Sequence, residues 1–319
     1  MRDALVASTN VGVLLPSSKV GVSRERPRKT SSLETRSFKH ARWPLLEALR
    51  PVHALHIYGA VGIAVFGWSL GHWTGFVSTA FLPLWLAGAL VVYNLDRLKR
   101  DPADSLNTPE RVRRHALLRR WSWAVTAAGC AVLLLWPLWL RNTPLLLLTA
   151  LALPLALAYS FPFLGARVKD IPVLKTLFAP LVVLAAVLAP PILFQGLTVN
   201  SALLMAAGWS WALLMFNMVL CDLRDIEGDR AAGTRSLPVL LGERRTRHLL
   251  WLIIAAGAIC ALLHRWPILA CATVAALSPL AFAAHRRRDE AFYEWLAEGT
   301  LFLPALVELG KHLAHHLVA

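Results

Sequence analysis

The chain has 319 residues, 57% of them hydrophobic and 16% charged, with a mean hydropathy of +0.54. Soluble domains carry about 25% charged residues, so this composition excludes an ordinary water-soluble fold and makes the lipid bilayer the expected solvent. The net charge of +14 is accounted for by loop cations, and nucleic acid is not an expected partner.

Residues 1–45 are polar and rich in Ser and Arg, without a long apolar run. They read as a disordered cytoplasmic tail, a start site placed too early, or an organellar transit peptide, against which Asp3, Glu25 and Glu34 count. Residues 46–319 read as one membrane domain. Its apolar stretches lie near 51–70, 74–94, 121–140, 143–163, 173–194, 199–221, 248–264, 266–284 and 292–310. At about 20 residues per crossing, the expected fold is an all-α integral membrane protein with about nine transmembrane helices. Pro154, Pro180, Pro190, Pro191, Pro279 and Pro304 fall inside these stretches, where neighbouring helices can satisfy the freed carbonyls.

The cations set the expected orientation. Twenty Lys and Arg fall in or beside the loops after the second, fourth, sixth and eighth stretches. Three (Arg141, Arg265, Lys311) fall on the other side, and ten lie in the first fifty residues. The positive-inside rule then places the amino terminus and those four loops in the cytoplasm. Trp68, Trp73, Trp136, Trp139 and Trp266 mark the opposite interface. Cys130, Cys221, Cys260 and Cys271 show no metal-ligand spacing and read as small core residues.

Two acidic runs carry the chemistry. After the second stretch come Asp96, Asp101 and Asp104, preceded by Asn94; after the sixth come Asp222, Asp225 and Asp229. The second run is spaced i, i+3, i+7, so a continuing helix would put its three carboxylates on one face. The helix terminus there also favours cations. Oxygen ligands of this kind suit magnesium, which is usually shared between carboxylates, water and phosphate oxygens. The alternative is a solvated, charged loop helix. The first run is less regular, and Asp104, beyond Pro102, reads as a solvated loop acid. The two segments form a faint repeat, Glu110 to His115 matching Glu243 to His248, which puts both acid runs on one membrane side. Arg97, Lys99, Arg224 and Arg230 are interleaved, either to bind anionic oxygens or simply as positive-inside charge. A third polar patch, AYSFPFLGARVKDIPVLK, holds Tyr159, Ser160, Lys169 and Lys175. A lysine there would stabilise charge leaving with a diphosphate, or would be positive-inside charge again.

The run CDLRDIEGDRAAGTRSLPVLLGE resembles the second aspartate motif of the UbiA-type intramembrane prenyltransferases, and AYSFPFLGARVKDIPVLK resembles their tyrosine-lysine loop. The resemblance implies nine helices around a central cavity opening to the cytoplasmic side, with two magnesium ions bridging a prenyl diphosphate. It also implies transfer of the prenyl group to a lipid-soluble or aromatic acceptor, a quinone precursor being one such. By position, Asp222, Asp225 and Asp229 would bind one magnesium ion, and Tyr159, Lys169 and Lys175 would meet the diphosphate end. Tyr159, Lys169 and Asp225 are the expected catalytic residues. Asn94, Arg97, Ser160, Lys175, Arg224 and Arg230 are the expected further substrate contacts. The first motif departs from the family's spacing, because Leu98 and Pro102 stand where acids are usual. Its expected ligands, Asp96 and Asp101, therefore belong to a remodelled site. Phe216, Trp209, Trp211 and Tyr159 are candidate walls for an allylic cation, or core packing. A cyclase, or a non-catalytic or transport protein on the same scaffold, are the competing readings. The expected location is a bacterial inner membrane, with the site facing the cytoplasm.

Overall fold

The computed structural model describes residues 49–76, 79–98, 102–161, 171–286 and 289–318, without the side chains of 102, 155–160, 315, 317 and 318. The amino-terminal tail, Lys99, Asp101 and Lys169 lie outside the described residues. All regular structure described is helical: α1 Arg50–Ala54, α2 Ile57–Thr74, α3 Leu82–Leu98, α4 Pro102–Asn107, α5 Pro109–Leu117, α6 Arg119–Trp139 and α7 Thr143–Ser160. Then follow α8 Leu174–Phe194, α9 Ser201–Arg224, α10 Ile226–Ala231, α11 Leu237–Leu263 and α12 Pro267–Ala283. The chain ends in a π-helical turn, Phe292–Ala297, a 3-10 turn, Thr300–Phe302, and α13, Leu303–Val318.

Among the described residues, each of the nine apolar stretches falls mainly in helix. Five segments are long and apolar enough to cross a membrane: Thr79–Leu98, Arg119–Trp139, Leu174–Phe194, Ser201–Arg224 and Leu237–Leu263. Local signals explain several boundaries. Asn142 and Asn200 accept the amide hydrogens of Leu145 and Leu203, both at 2.9 Å, and so start α7 and α9. Proline at the first or second helical position opens α5, α11 and α12. Gly242 sits at φ 76° inside α11, a conformation open to glycine, and it kinks the segment that the sequence places just before the seventh stretch. Internal prolines at 137, 154, 180, 190, 191 and 279 are carried without ending their helices.

The apolar residues divide between two faces. Phe66, Val91, Phe216, Val219, Leu220 and Leu250 are fully buried, whereas Leu151, Leu263 and Phe282 lie open on the outer surface. Outward leucines on so many helices would be an aggregation liability in water, and they suit hydrocarbon. Indole N–H groups of the interior tie helices together: Trp85 donates to the Ala186 carbonyl at 3.1 Å, and Trp136 to that of Ala80 at 2.8 Å. Trp209 donates to the Thr273 hydroxyl at 3.0 Å and packs edge-on against Trp73. Trp209 and Phe216 are therefore core, and Trp211 is turned partly outward. No polar group of Trp209 is left for a substrate.

The final segment differs from a plain apolar span. Its glutamates are drawn inward by α5: Arg111 pairs with Glu298 at 2.9 Å, and Arg114 with Glu294 at 3.2 Å and Glu290 at 3.3 Å. Arg111 and Arg114 of α5 are thus ion-paired across the fold. π-helical turns such as Phe292–Ala297 are uncommon and often mark functional regions.

Candidate metal and diphosphate site

Three elements converge where α9 ends. Asp222 is 1% exposed on the last turn of α9. Asp225 sits at the break between α9 and α10, and Asp229 lies within α10. The expected continuous helix is broken at Asp225, and its consequence is a division of labour. Asp222 and Asp229 turn toward the start of α8, where the Lys175 Nζ lies 2.7 Å from both Asp229 oxygens and 3.3 Å from Asp222 Oδ1. Asp225 is instead held by the Arg224 fork, Nε at 2.7 Å and Nη2 at 3.1 Å. Arg224 in turn lies 5.5 Å from the centre of the Tyr293 ring.

Thr176, neutral and inconspicuous in the sequence, completes this corner. It is fully buried, donates to Asp222 Oδ2 at 2.6 Å, and accepts the Leu237 amide hydrogen at 3.2 Å. Val173, whose amide donates to the Arg235 carbonyl at 2.9 Å, starts α8 at φ 67°. A β-branched residue in the left-handed region is costly, and it is held where Lys175 and Thr176 are aimed at the acids. Thr176→Val is expected to lower stability by about 1–3 kcal/mol through the two lost bonds. Thermal unfolding of the purified protein in detergent checks this.

Electrostatics here favour added positive charge. Burial pushes the Asp229 carboxyl up to about 6, against the pull of Lys175 and with the repulsion of Asp222 and Asp225. Burial also acts to raise Asp225, but the Arg224 guanidinium, with Lys175 and Arg97, carries it below the usual carboxylate range. Three carboxylates face the two cations Lys175 and Arg224, so one negative charge is left over. An all-oxygen donor set already gathered around one ammonium fits a hard divalent cation such as magnesium.

The first acidic run meets the second through α4. Pro102 opens a short helix rather than a loop, as its fixed φ permits at a first helical position. Asp104 is therefore not the solvated acid its sequence context predicts; it pairs with Arg97 at 2.6 Å. Asn107 accepts the Gly228 amide hydrogen at 2.8 Å, which docks α4 on α10. A cavity of about 500 Å³ opens beside the Arg97–Asp104 pair, with His56, Arg111, His115 and Arg119 also in its wall. Its basic lining suits an anion.

The other expected residues are placed as follows. Asn94 is fully buried and donates to the Leu55 carbonyl at 3.0 Å and the Leu90 carbonyl at 2.9 Å, which makes it a brace between α3 and the chain after α1. Asp96 is half-buried on the last turns of α3, beside Arg97. Arg230 is exposed. Tyr159 and Ser160 end α7, with side chains outside the description. Thr176 and Asn107 escaped the sequence reading because neutral residues acquire a role only from what the fold sets against them.

An all-helical membrane protein with clustered aspartates and cations at one helix end defines a narrow class. The model of the UbiA prenyltransferase family matches residues 101–294, and the chain belongs to that family. Asn94, Asp96 and Arg97 precede the matched residues. No curated protein and no solved structure matches the chain.

Proposed function

We propose that this chain is an integral membrane prenyltransferase, moving a prenyl group from a prenyl diphosphate to a lipid-soluble or aromatic acceptor such as a quinone precursor. The observation that carries this reading is the convergence of Asp222, Asp229 and Lys175 at the end of α9, in a chain of this family. Asp222, Asp225 and Asp229 would hold one magnesium ion, and Asp96 with Asp101 a second, remodelled site. Bound there, magnesium would draw negative charge from the diphosphate as its allylic carbon–oxygen bond breaks.

The protein's own residues supply the rest. Lys175 is anchored on two carboxylates, and once these are neutralised its ammonium is free to meet the departing diphosphate. Arg97 and the basic cavity wall hold anionic oxygens, Arg230 contributes charge at the rim, and Arg224 fixes the Asp225 carboxylate. Tyr159, Ser160 and Lys169 would contact the diphosphate end, as the family resemblance implies. The apolar helix interior keeps water from the allylic cation until the acceptor's electron-rich carbon attacks and loses a proton.

Incubation of the purified protein with labelled prenyl diphosphates and a panel of aromatic acceptors tests this. Magnesium-dependent release of diphosphate together with an acceptor adduct is expected. Release without any acceptor would indicate a cyclase, and no release would overturn the enzymatic reading. The cation asymmetry supports a cytoplasmic site, the apolar stretches support about nine spans, and the proposed location is a bacterial inner membrane. Cysteine-accessibility labelling in a cysteine-free background should find positions 105 and 233 on the cytoplasmic side and 142 and 196 on the other. Labelling of 105 and 233 from opposite sides would refute the orientation.

A further inference from the structure

We propose that His72, Glu308 and His312 form a binding site for one divalent transition-metal ion of the zinc class, at the end of the helices remote from the aspartate motif. Glu308 and His312 are one helical turn apart on α13 and so share a face; His72 comes from the last turn of α2. One ligand atom from each lies within 4.8 Å of the other two, and His72 Nε2 is 3.7 Å from Glu308 Oε2. The two imidazole rings are 6.2 Å apart, centre to centre.

The donor set selects the ion. Two imidazole nitrogens and one carboxylate, with a position left for water, are a zinc-type set, whereas magnesium and calcium favour oxygen throughout. In a tetrahedral site with bonds of about 2.0–2.1 Å, adjacent donor atoms stand roughly 3.3 Å apart. The present spacing, within 4.8 Å, reaches that by contraction of up to about 1.5 Å. The exposed imidazoles supply it by rotation: the His72 side chain is 53% exposed, against 8% for that of Glu308.

The surroundings orient the carboxylate. Glu308 Oε1 accepts from the Trp73 indole N–H and from Lys311 Nζ, the latter at 2.8 Å, while Oε2 is the oxygen that faces His72. Outer hydrogen bonds that fix a ligand in this way are typical of metal sites. Lys311 also lies over the Trp73 ring, 5.8 Å from its centre, on the Oε1 side. Trp73 packs 5.2 Å from Trp209, and Trp209 precedes Asp222 by thirteen residues of α9, about 20 Å along the helix. The two sites are therefore separate, and an ion here would clamp α13 to α2.

The test uses untagged full-length protein in detergent, stripped with chelator and reloaded with zinc alone in the presence of excess magnesium. Zinc retained after desalting should be about one equivalent, with a zinc-dependent rise in the unfolding temperature. His72→Ala and His312→Ala should each lose both, while their metal-free unfolding temperatures match that of the stripped wild type, because both side chains are exposed. Reloading with cobalt should give the visible absorption of a four-coordinate site in wild type only. No retained zinc, or equal zinc in wild type and the His72→Ala/His312→Ala double variant, would overturn the proposal.

Discussion

Asp222→Asn is expected to lower prenyl transfer by on the order of 10²–10³-fold and to raise the magnesium concentration needed for the remaining activity. The substitution keeps the shape of the side chain and an oxygen to accept from the Thr176 hydroxyl, now at 2.6 Å. It removes the charge that Lys175 and a divalent cation both require. The conservative change matters because Asp222 is 1% exposed, so alanine would leave the buried Thr176 hydroxyl without its acceptor and Lys175 with Asp229 alone. Loss of a buried hydrogen-bond partner costs about 1–3 kcal/mol and would mix a folding defect with a chemical one. Turnover across a magnesium titration, with size-exclusion profiles as the folding control, gives the readout. Near-normal activity at low magnesium would remove Asp222 from the metal site.

Gly228→Ala should be the most damaging small substitution outside the acids. A Cβ at this position would stand 2.5 Å from the Ala103 carbonyl oxygen and against both polar atoms of the Asn107 amide. Side chains can give way, but a backbone carbonyl in a helix cannot, so α4 must lift from α10. Overpacking costs about 1–3 kcal/mol, and the Asn107 bond to the Gly228 amide is lost as well. Asp104 of the Arg97–Asp104 pair rides on α4, so activity should fall at least about tenfold as the geometry of that pair loosens. Asn107→Ala removes the bond without the clash and should cost about 1 kcal/mol. If Gly228→Ala is no worse than Asn107→Ala, close approach of the two helices is not what positions the first run.

Much of the site was legible because charge in an apolar chain is conspicuous. Asp222, Asp225 and Asp229 stand out at the edge of an uncharged apolar stretch, and the structure brings two of them, Asp222 and Asp229, to Lys175. The division among them was not legible: the spacing implies one face of one helix, whereas the break at Asp225 sends Asp222 and Asp229 to Lys175 and leaves Asp225 to Arg224. Asp104 was misjudged for a local reason. Proline reads equally well as a loop residue or as the first residue of a helix, and only the packing of α4 on α10 decides between them.

The apolar stretches, the cation asymmetry and the second aspartate motif are properties of composition and order, and the sequence alone determined an all-helical membrane protein of this family. Backbone groups in hydrocarbon must bond within their own helix, so length and apolarity are enough to specify each element. Which neutral residues matter was decided only by tertiary structure. Thr176 ties α8 to Asp222 and Leu237, Asn107 seats α4 on Gly228, and Asn94 braces the chain after α1. Pairings across the fold followed the same rule, from Arg111 on Glu298 to His72 beside Glu308. A hydrogen bond or ion pair between residues far apart in the chain has no local signature, because its energy exists only once both helices are in place.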